Sequence, residues 1–140
     1  MSKPPIWFIS LAAVALLWNL AGLAAVVADL KLSAADIQAL PPAQQAFYHA
    51  RPLWSVLASL LAVLGGALGC LGLLLRKRWA LLVLCASLLG IAVQDAGLVW
   101  VARVVGSPGA APVVLQSLVL VIGVGLVFFA RHALRRAWLK

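Results

Sequence analysis

Four uninterrupted apolar runs dominate this chain, at residues 6–28, 53–75, 79–102 and 112–130. Each is long enough to cross a hydrocarbon core, which takes about 20 helical residues. Membrane β-strands are shorter, about ten residues, and alternate in polarity; these runs are continuous and rich in Leu and Ala. Composition points the same way. The chain is 66% hydrophobic and 10% charged over 140 residues, whereas a soluble domain averages about 45–50% and about 25%. A chain this small has too little interior to hide that surface from water. The expectation is an all-α, integral-membrane four-helix bundle forming a single transmembrane domain over 1–140. A soluble enzyme, a secreted module and a nucleic-acid-binding domain are excluded. The first run exceeds the roughly 7–15 residues of a signal-peptide core, so it is expected to be a retained span.

Charge sets the expected orientation. The net charge of +8 comes mostly from Lys3, the Arg76-Lys77-Arg78 turn, and Arg131, Arg135, Arg136 and Lys140. The other two connections carry only Lys31, Arg51 and Arg103. Cation-rich loops stay in the cytoplasm, which puts both termini inside and loop 29–51 outside, in a multi-pass membrane protein. Trp7, Trp54, Trp79, Trp100 and Trp138 fall near span ends, as an interfacial aromatic belt would. Loop 29–51 is the only sizeable part outside the spans. Ser33 and Asp36 have capping-box-like spacing, and Pro41-Pro42 ends one short helix and starts another. Ile37, Leu40 and Phe47 give these turns an apolar underside suited to the lipid interface.

Helices in lipid associate by close packing and hydrogen bonding. The second span carries Gly65, Gly66 and Gly69, a GxxxG spacing, with Ala58 and Ala62 on the preceding turns and Gly72 beyond. Packing within one bundle and a homodimer face both fit this stripe. Cys70 and Cys85 lie at matching depths either side of the tight turn and read as small apolar filler.

The polar residues within the spans share a level. At about 1.5 Å rise per residue, Asn19 lies about 20 Å from the inner edge, and Gln94 and Asp95 about 23 Å. Gln116 lies about 6 Å from the outer edge, and Ser55 and Ser59 enter from that side. On the third span Ser87, Gly90, Gln94 and Gly97 form one stripe, with Asp95 one step round. An outward-facing polar pocket follows, lined by Asn19, Gln94, Asp95, Gln116 and Ser59 and walled by Trp18. The amides would alternatively bond across helices as internal glue, worth about 0.6 kcal/mol each. Asp95, the sole acid within a span, marks a functional position by default, or else pairs with Arg103 or Arg51.

No cofactor or metal site is expected. His49 and His132 lie on opposite sides, no His-Cys-Asp cluster has metal spacing, and no nucleophile triad or phosphate loop is present. The chain reads as a non-enzyme. Residues 129–140 prolong the fourth span into the cytoplasm, where four cations attract anionic lipid at about 1 kcal/mol each.

Pro5-Ile6-Trp7-Phe8, Leu17-Trp18-Asn19-Leu20-Ala21-Gly22, Leu40-Pro41-Pro42-Ala43-Gln44-Gln45 with Tyr48, and Pro52-Leu53-Trp54 before a Gly-rich span resemble a group of small four-span bacterial inner-membrane proteins. That resemblance implies four spans and, from the "sugar transporter" label some members carry, a sugar-like substrate. The four-span drug exporters are less similar, since their membrane Glu in the first span has no counterpart here. Two functions are expected from different classes. One is binding or transport of a small polar or amphipathic molecule. The other is a non-catalytic accessory or assembly subunit of a larger membrane complex, gripped through the glycine face.

Overall fold

The computed structural model describes residues 3–106 and 109–140 and is helical throughout its ordered elements. α1 spans Ile6–Leu30, α2 Ala34–Gln38, α3 Pro42–Ala50, α4 Leu53–Leu74, α5 Trp79–Val105 and α6 Ala110–Arg135. α1, α4, α5 and α6 are the four helices long and apolar enough to cross a membrane. This is a multi-pass membrane protein.

The bounds differ slightly from the apolar runs. α1 continues to Leu30 and takes Asp29 into its last turn. α5 continues to Val105 and stops at Gly106, whose φ of 96° suits glycine. α6 begins two residues before Pro112, because the first turn of a helix needs no partner for its N–H groups. Of the link between α5 and α6, Ser107 and Pro108 lie outside the described residues.

The long helices pack in the order α1, α4, α5, α6, each on the next, and α3 leans on α5. α4 and α5 are the closest pair. A Cβ on Gly65 would sit 3.0 Å from Ser87 Cβ, one on Gly90 would sit 2.9 Å from the Ala58 carbonyl and the Ala62 amide, and one on Gly69 would overlap Leu84. Ser87 Oγ donates to the Ala62 carbonyl across this interface at 2.6 Å. Gly66 looks the other way: a Cβ there would overlap the carboxamide of Asn19 on α1. The glycine face is therefore consumed inside the bundle, by α5 on one side and α1 on the other.

The core gathers toward the end that carries both termini. Phe8 stacks on Phe129 at 4.9 Å between ring centroids, and Trp138 meets Phe8 edge-on at 5.3 Å. Here the tail departs from expectation. It does not run on as helix to Lys140. The helix stops at Arg135, Ala137 turns left-handed (φ 57°), and the Trp138 amide returns to the Ala133 carbonyl at 3.0 Å, a Schellman closure. α4 ends the same way, with Arg76 at φ 61° and Lys77 N–H on the Gly72 carbonyl at 2.8 Å. The two closures join: Arg78 N–H donates to the Lys140 carbonyl at 3.0 Å, and Arg76 Nε to the Trp138 carbonyl at 2.8 Å. Trp138 and Leu139 are thereby buried. Instead of joining an interfacial belt, Trp138 closes the core, since covering its large apolar area outweighs one residue held in a left-handed turn.

Cys70 is buried and Cys85 exposed, both as free thiols. Matching depth did not bring matching direction.

Candidate functional site

The site lies toward the other end, beneath α2 and α3. Local chemistry builds its roof. Ser33 and Asp36 form a reciprocal capping box, with Ser33 N–H donating to Asp36 at 2.9 Å and Asp36 N–H to Ser33 Oγ at 3.1 Å. Those bonds hold the Asp36 carboxyl below its ordinary value. Gln45 Nε2 ties the corner after α2 by donating to the Leu40 carbonyl at 2.7 Å. At the end of α3, Tyr48 Oη and Arg51 Nη1 both donate to Asp29, at 2.5 and 2.7 Å, and the guanidinium lies 5.0 Å from the Tyr48 ring centroid. The bond to Asp29, with burial second, pushes the Tyr48 hydroxyl above its ordinary value. Loop 29–51 is thus strapped to the end of α1. Arg51 takes Asp29 as its partner, not Asp95, and Arg103 is exposed.

Two adjoining cavities lie under this roof. The first, about 110 Å³, is lined by Phe47, Arg51, Ser55, Ser59, Gln94 and Gln116 among others. The second, about 320 Å³, lies among all four long helices, with Trp18, Asn19, Gly22, Gln94 and Gln116 on its walls. Gln94 and Gln116 border both. Neither glutamine has a hydrogen-bond partner among the described residues, so their donors and acceptors are available to whatever enters.

The other polar groups differ in freedom. Asn19 Nδ2 donates to the Ala15 carbonyl at 2.9 Å and to Cys70 Sγ at 3.6 Å, and its carboxamide rests against Gly66; it is braced. Ser59 Oγ is turned back onto the Ser55 carbonyl at 3.1 Å. Asp95 does not line either cavity. By helical spacing it shares a side of α5 with Leu88 and Ile91, whose side chains approach Gly123 of α6. Its Oδ1 is shut from solvent without a donor among the described residues. Such an atom costs free energy wherever it is not met by a donor.

Trp18 has a larger share than a wall residue. It borders the 320 Å³ cavity and a third, apolar one of about 370 Å³ lined by Leu11, Val14, Ile122, Gly125 and Phe129. Sequence reasoning did not find this third space, nor Phe47 and Arg51 as lining groups. The signal for Arg51 was present: it stands immediately before Pro52 at the head of α4, within reach of the acid that ends α1.

Among the described residues no three of His, Cys, Asp and Glu gather where a metal would be held. His49 is exposed at the loop end, whereas His132 lies edge-on to Trp138 at the opposite end. Among the described residues the arrangement is that of a hydrogen-bonding receptacle beside apolar walls, its one lining cation, Arg51, paired with Asp29, and without a nucleophile–base pair. Compared with known families, with curated proteins and with solved structures, the chain matches none, and no enzyme family claims it.

Proposed function

We propose that this is a small-molecule-binding protein of a bacterial inner membrane. It takes a small polar or amphipathic molecule from the side on which α2 and α3 lie, with both termini in the cytoplasm. The observation that carries this reading is the pair of unpartnered carboxamides, Gln94 and Gln116, meeting on one cavity of about 320 Å³. Both amides are half-buried and free to bond with what enters, and the volume falls within the roughly 300–1,000 Å³ of ligand pockets. Transport by so few helices would use a symmetric pair of chains, with the site near an interface. A sugar-like molecule is compatible with amide donors and acceptors, in keeping with the resemblance noted above.

The cations at the terminal end support the orientation and a contact with anionic lipid there. An accessory-subunit role finds less support, because the glycine face that would grip a larger partner is filled by α5 and Asn19. The reading is tested by accessibility. In a Cys85→Ala background, Gln116→Cys is expected to react with a membrane-impermeant thiol reagent applied to spheroplasts from outside. Reaction only from inside, or none after membrane solubilisation, would overturn it.

A further inference from the structure

The receptacle is not the only space that Trp18 borders. The indole also borders the apolar cavity between α1 and α6, helices that do not pack closely along their lengths. We propose that the two cavities, which share Trp18 as a wall, together form one crevice that binds one single-chain amphiphile with an uncharged head. The head sits at Gln94 and Gln116 and the chain runs past Trp18 toward Phe129. This deepens the reading above and rests on it.

Four observations converge. Polarity is graded along the crevice, with carboxamides at one end and Leu11, Val14, Ile122 and Phe129 at the other. A wholly polar solute would leave the second half unused, while a wholly apolar one would leave both glutamines unmet. From Val26 to Leu11 the crevice follows α1 for about 22 Å, longer than the roughly 15 Å of one leaflet. It is therefore shaped for a chain that reaches past the bilayer midplane. Second, the space is for one chain: each cavity, about 320 and 370 Å³, is at the small end of ligand pockets. Third, the only full charge lining either loop-end cavity among the described residues is Arg51, already engaged by Asp29 at 2.7 Å. A charged head beside neutral amides would find no counter-ion, which lipid-buried groups need. Fourth, the apolar half is open at Gly125, where a Cβ would meet nothing within 4 Å.

The test uses the full chain in phosphatidylcholine nanodiscs and monooleoylglycerol brominated along its chain, read by quenching of tryptophan fluorescence. A saturable component is expected that Trp18→Phe removes. Gly125→Leu, which adds a side chain where a Cβ would meet nothing within 4 Å, is expected to weaken binding at least tenfold. Gln94→Leu with Gln116→Leu is expected to weaken it as much. Unaltered binding by Gly125→Leu overturns the chain's placement. Equal competition by oleate overturns the uncharged head, and absence of any saturable component above the phosphatidylcholine of the disc overturns the single-chain assignment. Should glycerol alone protect Gln116→Cys from labelling while Gly125→Leu has no effect, the polar receptacle stands and the amphiphile falls. Indifference to the glutamine pair as well sinks both.

Discussion

α4 and α5 touch backbone to backbone; α1 and α6, the outer members of the same row, do not. All four helices are similarly apolar, so hydrophobicity does not explain the contrast. Residue size does. Gly65, Gly69 and Gly72 of α4 meet Ser87, Leu84 and Ala80 of α5, and Gly90 lies on the backbone of α4. α1 and α6 instead offer each other Leu11, Val14, Trp18, Ile122 and Phe129, and are clasped only at the terminal end by Phe8, Phe129 and Trp138. In lipid, where burial of Leu gains little, tight pairs form where side chains are small, and spaces persist where they are large.

The same substitution in the two regions breaks or sharpens that contrast. Gly90→Leu forces the α4 and α5 backbones apart and is expected to destabilise the protein by about 3 kcal/mol or more, measured by reversible unfolding in mixed micelles. A cost under about 1 kcal/mol would mean the pair is not close-packed. Trp138→Ala opens the clasp and is expected to cost about 2–3 kcal/mol, at the lower end for large core truncations because lipid fills part of the gap. Hydrogen exchange should rise in the Arg76–Arg78 turn, whose backbone bonds to the tail would loosen. Gly125→Leu, in the loose region, is expected to have the opposite sign and to stabilise by about 0.5 kcal/mol through helix propensity alone. A loss of more than about 1 kcal/mol would show that the crevice is tighter than described.

The smallest effect concerns the roof. The Asp36 carboxyl is held below its ordinary value of 3.8 by its bonds with Ser33. Its contribution to α2 is therefore complete above that value and is lost as pH falls through the lower, folded one. The protection of the Asp36 amide relative to its intrinsic exchange rate, followed from pH 5 down to pH 2, should fall at the acid end in wild type. In Ser33→Ala it should be low throughout.

Local features were legible in advance. The four apolar runs, the Ser33–Asp36 spacing and the helix starts after Pro41 and Pro52 each depend on neighbours within a turn or two. The level shared by Trp18, Asn19, Gln94 and Gln116 was legible too, because helical rise converts residue number into depth. Direction around the helix was not. Asp95 is the neighbour of Gln94 along α5 yet does not line either loop-end cavity, and Cys85 was expected level with Cys70 yet is exposed. Asn19 was expected on a pocket wall and is there, though its amide is braced by the Ala15 carbonyl and Cys70. The turn of the tail was illegible for a related reason: nothing local to Trp138 reveals that Phe8 and Phe129 stand ready to bury it.

What the amino-acid order determined by itself was the apolar medium, the four long apolar helices and the level of each polar group along its own helix. Those follow from hydrophobic run length and a constant rise per residue. Only the tertiary structure decided which helices touch, which amide is satisfied and which is left waiting, and where space remains. Those outcomes depend on the rotation of each helix about its axis, and that rotation is set by contacts between residues distant in the chain.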